Sequence, residues 1–147
     1  MSRGIELPQN SPRIDGRLIA GLTEIAARAA AGLVANDPAT IEHRIKNGSS
    51  PVTAADEATE TFIIDELSKL LPTVPVISEE AHSRRRTPSP AECFALVDPL
   101  DGTREFINRT GEFTINIALV RARRVALGIV YAPALKRLYA GAPGAGA

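Results

Sequence analysis

The spacing of apolar residues changes once along the chain, at Pro72, and this change limits the folds that the sequence can adopt. Before Pro72, apolar residues recur every three or four positions, which is the period of an amphipathic helix. After Pro72, they gather in short runs rich in Val, Ile and Leu, which is typical of strands. Helices followed by strands predict a layered α+β domain, in which the helices pack on a mainly antiparallel sheet.

Two helices are predicted before Pro72. The first begins at Asp15, is about 18 residues long and ends before Asp37-Pro38, because a residue that precedes proline disfavours helix. The second begins after Thr53, a residue type that caps helices, and ends before Pro72. This start places Asp56 in the first helical turn. Between the helices we expect a short extended segment near 41–45 and a polar, turn-rich loop at 46–51.

The strands after Pro72 are predicted at four places. Three residues separate the last two, whose apolar residues alternate, so these two strands form a β-hairpin. The predicted strands are 74–78, 93–98, 114–121 and 125–131, with the hairpin turn at 122–124.

The remaining segments are expected to lie outside the packed layers. Residues 79–90 are polar and contain proline, which is typical of a mobile surface loop. Residues 1–14 are interpreted as a flexible leader, and 141–147 as a Gly/Ala tail with nothing to pack against. A single domain at 15–140 remains.

Composition excludes several classes of protein. Lys+Arg and Asp+Glu both total 17, so no net charge attracts the chain to a nucleic-acid polymer or an anionic membrane. The single cysteine, Cys93, has no intrachain partner for a disulfide, which fits a reducing compartment. We find no transmembrane stretch approaching about 20 residues and no apolar segment of a signal peptide at the start. These features predict a cytoplasmic protein.

The segment from Leu96 to Phe106 carries the most chemical information. An apolar strand ends at Asp98, and Asp101 follows three residues later, so that two carboxylates can face one cation. Hard oxygen ligands at this spacing suit Mg²⁺. Gly102 leaves room for a phosphate to approach the main chain, whose amides open a helical turn and would bind phosphate oxygens. The hydroxyl of Thr103 is placed to orient a water.

Each acidic element also has a simpler interpretation when it is taken alone. Asp-Pro and Asp-Gly are ordinary turn formers. Glu79-Glu80 would be a solvated pair in a loop, and Asp56 would interact with the helix dipole. All three elements lie at predicted ends of strands or helices, however, and this combination favours a cation site.

In this order, Asp56, Glu79-Glu80 and the run Asp-Pro-Leu-Asp-Gly-Thr at 98–103 resemble the inositol monophosphatase family, which are Mg²⁺-dependent, lithium-sensitive phosphatases. The resemblance extends from about residue 15 to 147. It implies the layered sandwich fold of the sugar phosphatases. It also implies that the chain holds only the N-terminal half of that fold, because the family's later Trp-Asp metal ligand has no counterpart here.

The resemblance further implies a metal site of two or more Mg²⁺ ions. Glu79, Asp98 and the main-chain carbonyl of Leu100 would hold one ion, and Asp98 with Asp101 would hold a second. Inhibition by Li⁺ is expected.

It also implies the roles of catalytic residues. Thr103, hydrogen-bonded to Asp56, and Glu79 would orient a metal-bound water for in-line attack on phosphorus. The substrate phosphate would contact Gly102, Thr103 and Glu79.

Within the family, segments 101–106, 111–120 and 128–133 are similar to the 3′(2′),5′-bisphosphate nucleotidase branch. The implied substrate is a small phosphorylated nucleotide, 3′-phosphoadenosine 5′-phosphate, a by-product of sulfate assimilation, and the products are AMP and phosphate. Inositol phosphatases more often place Asn where Glu105 stands and Pro where Thr114 stands. The resemblance is also compatible with a homodimer.

Three alternatives stay open at this point. The chain is an inositol monophosphatase or related sugar phosphatase, or a catalytically impaired fragment or binding module. A haloacid-dehalogenase signature is the third alternative, but its two aspartates are separated by two positions, whereas Asp98 and Asp101 are separated by three.

Overall fold

The structure, a computed structural model, describes residues 11–35, 43–46, 50–79 and 92–144, and describes only the main chain of 43–46 and 50–53. These residues form three helices and seven strands. In chain order they are α1 (Gly16–Ala35), β1 (His43–Lys46), β2 (Ser50–Thr53), α2 (Ala54–Leu70), β3 (Val76–Ser78), β4 (Cys93–Asp101), α3 (Thr103–Ile107), β5 (Thr114–Arg121), β6 (Arg124–Ala132) and β7 (Arg137–Gly141).

Strands β3 to β7 form one sheet whose strand order follows the chain. The pair β3 and β4 is parallel, and the other three pairs are antiparallel. The prediction of helices on a mainly antiparallel sheet is therefore confirmed. Strands β1 and β2 form a separate antiparallel pair.

The core lies between one face of the sheet and helices α1 and α2, which also pack against each other. Alternate residues of the strands point into it, and each large apolar side chain buried there stabilises the fold by about 1.5–3 kcal/mol. The largest fully buried side chains include Leu22, Leu33, Ile63, Leu67, Ile115, Ile117, Leu119, Leu127 and Ile129. On the other face of the sheet, Leu96 and Val130 are 45% and 41% exposed.

Helix α1 begins where the sequence predicts. The Asp15 carboxylate accepts hydrogen bonds from the main-chain N–H groups of Arg17, at 3.0 Å, and Leu18, at 3.1 Å. This is the interaction of an N-cap residue. The helix has 20 residues, and an 18-residue window within it has a mean hydropathy of 1.5, so by length and composition it could cross a membrane. The prediction that no stretch approaches this length is therefore wrong, but the helix packs on β5 and β6, as a core helix does.

An ion-pair cluster on the surface joins α1 to α2. Arg28 donates to Glu66 at 2.6 Å and lies over the ring of Phe62, 5.1 Å from its centroid. Lys69 donates to Glu66 at 2.8 Å and to Asp65 at 2.6 Å. The hydrogen bond from Lys69, helped by the charge of Arg28, holds the pKa of Glu66 below its ordinary value of 4.5.

The turn between β5 and β6 confirms the predicted hairpin. Ala122 and Arg123 have φ angles of 47° and 63°, and Arg121 pairs with Arg124. Positive φ at both central residues is typical of the type I′ turn that joins twisted strands.

Two strands were not predicted. Residues 50 and 51, expected in a loop, belong to β2, where Pro51 lies opposite Ile45. Proline is tolerated in a strand without a partner on its other side, so its presence misled the prediction. Strand β7 ends at Gly141, and Ala142 packs against the core, so the expectation that 141–147 packs against nothing is wrong for these two residues.

The predicted leader and loop fall largely outside the described residues. Residues 1–10 and 80–91 are not described. Of the expected leader, Ile14 packs against the core, and Arg121 donates a hydrogen bond to the main-chain carbonyl of Pro12. The described end of the expected leader is therefore attached to the domain.

Candidate active site

Two of the predicted metal ligands lie on neighbouring parallel strands: Glu79 directly follows β3, and Asp98 lies within β4. Ser78 of β3 is in register with Val97 of β4, so Glu79 and Asp98 come next at the same edge of the sheet. Both line an open cavity of about 360 Å³ together with Asn116. The rest of the cavity follows the outer face of the sheet and is lined mainly by apolar residues, among them Leu96, Ala118 and Val130. The structure thus brings Glu79 and Asp98 together.

A β-bulge in β4 brings Asp101 to the same face as Asp98. Residues three apart in a regular strand point to opposite faces, because side chains alternate. Here Asp98 lies opposite Asn116, whereas Asp101 lies opposite Thr114, so β4 contains one residue more than β5 over this interval. The extra residue restores the alternation. The spacing of three therefore places both carboxylates on one face.

The bulge also buries Leu100 and fixes its main chain. The N–H of Leu100 donates to Asp98 Oδ1 at 3.2 Å, and its carbonyl accepts a hydrogen bond from Thr103 Oγ1, also at 3.2 Å. The predicted main-chain ligand therefore lies directly between the two aspartates in sequence and contacts the predicted catalytic threonine.

Gly102 begins helix α3 in a left-handed conformation, with φ at 88°. A Cβ atom there would lie 2.7 Å from the carbonyl oxygen of Glu112 and 3.3 Å from a carboxylate oxygen of Glu105. The close approach of Glu112 therefore requires glycine at position 102. This is a second reason for glycine there, besides the access for phosphate that the sequence predicts. Helix α3 is anchored by Phe106, whose ring meets that of Phe113 edge to face at 5.1 Å.

Asp56 lies in the first turn of α2, as predicted, and the structure shows that it is buried there. Strand β2, which leads into this helix, also packs against α3, the helix that begins at Thr103. Asp56 and Thr103 therefore lie in the first turns of two helices that both pack against β2. The hydrogen bond between their side chains stays a prediction, and the hydroxyl of Thr103 donates to Leu100 in this structure.

A buried hydrogen bond that the sequence did not reveal ties α2 to β3. Ser78 Oγ donates to Glu60 Oε1 at 2.5 Å, and both residues are almost fully buried. Glu60 lies one turn after Asp56, and Ser78 directly precedes Glu79. The bond therefore connects the elements that carry two predicted catalytic residues. The only sequence signal was the four-residue spacing of Asp56 and Glu60 on one helix face.

Replacing Ser78 with alanine is expected to lower the free energy of unfolding by about 2 kcal/mol, because it removes a buried hydrogen bond and takes this donor away from the buried Glu60 Oε1. Urea denaturation measures this change. The matched control is Ser68→Ala. Ser68 lies on the exposed side of α2, where its hydroxyl donates to the main-chain carbonyl of Ile64. We expect the control to change stability by less than about 0.5 kcal/mol. Equal effects of the two substitutions would contradict the importance of the Ser78 bond.

Asn116 is a second residue that the sequence analysis missed. It lies on β5 between two buried isoleucines, so it faces away from the core and toward the cavity. Its Nδ2 donates to Asp101 Oδ2 at 3.4 Å. A polar residue within an apolar strand was the available signal.

The types of donor at this end of the sheet suit a hard divalent cation. Among the described residues, no three Asp, Glu, His or Cys side chains are close enough together to hold an ion. Each of the two predicted ion sites uses only two carboxylates: Glu79 and Asp98 for the first ion, and Asp98 and Asp101 for the second. The main-chain carbonyl of Leu100 is the third predicted ligand of the first ion. Asn116 Oδ1 is buried at this edge and has no hydrogen-bond partner within the described part of the chain. Carboxylate, carbonyl and amide oxygens are the donors that hard divalent cations prefer.

Comparison with known proteins gives several strong matches. The 3′(2′),5′-bisphosphate nucleotidase CysQ of Salmonella typhimurium is 49% identical over 104 residues, which are 71% of this chain and 42% of that protein. The corresponding CysQ of Aggregatibacter actinomycetemcomitans is 35% identical over 92% of this chain and 51% of that protein. The chain therefore spans about half the length, or less, of these curated relatives.

Solved structures show the same fold. The Thermotoga maritima IMPase matches with a TM-score of 0.78 at 26% identity, over 88% of this chain and 49% of that one. CysQ from Bacteroides thetaiotaomicron matches with a TM-score of 0.66 at 33% identity, over 87% of this chain and 46% of that one. The sequence model of the inositol monophosphatase family matches residues 14–147. The chain belongs to the inositol monophosphatase family.

Proposed function

We propose that this chain carries the metal-binding half of a phosphomonoesterase that hydrolyses the 3′-phosphate of 3′-phosphoadenosine 5′-phosphate, releasing AMP and phosphate. The observation that carries the proposal is the bulge in β4: because of it Asp98 and Asp101 share one face, and Asp98 also lines the same cavity as Glu79. Phosphate esters hydrolyse slowly unless cations neutralise the charge around phosphorus and a nucleophile is positioned. A carboxylate-rich edge beside an open cavity suits this chemistry.

The ligands proposed for Mg²⁺ follow from this arrangement. Glu79, Asp98 and the carbonyl of Leu100 would hold one ion, and Asp98 with Asp101 would hold a second. When bound, Mg²⁺ lowers the pKa of a coordinated water and stabilises the charge that develops on the oxygens. Competition by Li⁺ at this site is part of the proposal.

The other predicted residues act on the water and the phosphate. Asp56 is buried at the start of α2, where its carboxylate would orient the hydroxyl of Thr103. Thr103 and Glu79 would in turn orient the attacking water along the line of the bond that breaks. The main chain at Gly102 and Thr103 would donate hydrogen bonds to the substrate phosphate. No side chain needs to form a covalent intermediate.

The nucleotide branch is favoured by the curated relatives, which are named as 3′(2′),5′-bisphosphate nucleotidases. The second candidate substrate is an inositol phosphate, because several structures with the same fold are named as inositol monophosphatases. Glu105 distinguishes the nucleotidase and inositol phosphatase branches in sequence, and its carboxylate lies beside Gly102.

We further propose a cytoplasmic location, no nucleic-acid polymer as partner, and a homodimer.

Side-by-side kinetics test the substrate. The chain, joined to the remaining part of the Salmonella relative, is assayed for phosphate release from 3′-phosphoadenosine 5′-phosphate and from inositol 1-phosphate. We expect kcat/KM to be more than about 10-fold higher for the nucleotide, a difference of about 1.4 kcal/mol in transition-state binding. Faster release from inositol 1-phosphate would contradict the nucleotide assignment. The matched control is the Asp65→Asn variant, which removes an exposed carboxylate on α2 and should leave the ratio of the two kcat/KM values unchanged.

A further inference from the structure

Asn116 occupies a position that the proposed reaction leaves unexplained. It is in register with Asp98 across β4 and β5, and it lines the same cavity as Glu79 and Asp98. Its neighbours in the strand, Ile115 and Ile117, are buried in the core. By alternation, Asn116 therefore belongs to the face that carries the carboxylates.

The orientation of the Asn116 amide follows from its contact with Asp101. Nδ2 lies 3.4 Å from Asp101 Oδ2 and donates a long hydrogen bond to it. The opposite orientation would bring an amide oxygen against a carboxylate oxygen, and neither atom has a proton to share. Oδ1 is therefore directed away from Asp101.

Oδ1 of Asn116 is buried and accepts no hydrogen bond from the described residues. Burying a polar atom without a partner costs about 1–3 kcal/mol. Native proteins seldom retain such an atom unless a water, an ion or a ligand satisfies it. An uncharged amide oxygen is also a ligand that hard divalent cations accept.

We propose that Asn116 belongs to the cation site, where Nδ2 fixes the carboxylate of Asp101 and Oδ1 supplies an uncharged oxygen to the cation. This inference rests on the proposed function, because that function places a divalent cation at Asp98 and Asp101. Asn116 would thus keep the carboxylate of Asp101 in place and contribute a ligand to the cation without adding negative charge.

The test compares Mn²⁺ binding, followed by electron paramagnetic resonance, in the 147-residue chain and two variants. Asn116→Leu keeps the approximate size and removes both polar atoms, and we expect it to weaken Mn²⁺ binding by about 10- to 100-fold. Asn116→Asp keeps an oxygen ligand, and we expect its affinity to stay within about 3-fold of the unchanged chain. The matched control is Asn108→Ala, which changes an exposed asparagine at the end of α3 and should leave binding unchanged.

A thermal melt in EDTA provides a second measurement, which separates binding from packing. Asn116→Leu removes an unsatisfied buried oxygen, so we expect its Tm without metal to equal or exceed that of the unchanged chain. Excess Mg²⁺ should then raise the Tm of the unchanged chain more than that of the variant, because a ligand stabilises only a state that binds it.

Three results would overturn the proposal. If Asp98→Asn weakens Mn²⁺ binding and Asn116→Leu does not, Asn116 lies outside the cation site and the proposed function still stands. If Asn116→Leu and Asn116→Asp lose affinity equally, the hydrogen bond to Asp101 matters and Oδ1 is not a ligand. If the unchanged chain and Asp98→Asn bind Mn²⁺ equally poorly, the proposed cation site fails and this inference fails with it.

Discussion

Replacing Asp98 with asparagine is expected to lower Mg²⁺-dependent phosphate release by more than about 100-fold. Residues that merely support metal ligands already change activity by 10- to 100-fold, and Asp98 is the residue that both proposed ions share. The assay uses the chain joined to the remaining part of the Salmonella relative, with 3′-phosphoadenosine 5′-phosphate as substrate.

For the chain alone we expect weak Mg²⁺ binding and slow turnover, because it spans 42% of that relative. Rapid turnover by the chain alone would contradict this expectation.

The fold should survive this substitution. Asparagine keeps an oxygen that can accept the hydrogen bond from the N–H of Leu100, which Asp98 Oδ1 accepts at 3.2 Å. It also removes a negative charge near Asp101. A Tm in EDTA equal to or above that of the unchanged chain is therefore expected. If activity stays within about 3-fold of the unchanged protein, Asp98 does not hold the metal.

Replacing Gly102 with alanine is expected to have the largest effect on stability, a loss of about 2–5 kcal/mol. A left-handed conformation costs a residue with a Cβ atom about 1–2 kcal/mol. Forcing extra atoms into a packed region adds about 1–3 kcal/mol, and here the new Cβ would lie 2.7 Å from the main-chain oxygen of Glu112. Urea denaturation measures the sum.

Two other glycines separate the contributions. Gly144 has a φ of 83° but nothing within 4 Å of an added Cβ, so Gly144→Ala tests the conformational cost without a clash. Gly32 lies on the exposed side of α1 with open space around it, and Gly32→Ala should stabilise the helix by about 1 kcal/mol. If Gly102→Ala were no worse than Gly144→Ala, the close approach of Glu112 would not matter.

The elements that could be predicted from the sequence are those whose apolar period is regular. Helix α1 and strand β5 agree closely with the predictions, because one face of each is buried against the other in the core. Strands β2 and β7 could not be predicted in this way. Pro51 in β2, and Ala140 and Gly141 at the end of the short β7, have low strand propensity, and pairing with β1 and β6 overrides that preference.

The candidate site shows the same limit. The sequence identifies Asp98 and Asp101 as carboxylates three residues apart, but an unbulged strand would have put them on opposite faces. The one-residue difference between β4 and β5 becomes visible only when both strands are paired. Asn116 and the bond between Glu60 and Ser78 were missed for a related reason, since their contacts join residues 15 and 18 positions apart.

The most direct test of the account is nuclear magnetic resonance of the ¹⁵N-labelled chain with substoichiometric Mn²⁺, which broadens the signals of nearby nuclei. We expect the amide signals of Glu79, Asp98, Asn116 and residues 100–103 to broaden first, and the amide signals of Asp65 and Glu66, in the surface ion-pair cluster that joins α1 to α2, to stay sharp. Broadening at that ion-pair cluster, with the signals of Asp98 and residues 100–103 unchanged, would contradict the claim that the bulge in β4 builds a cation site.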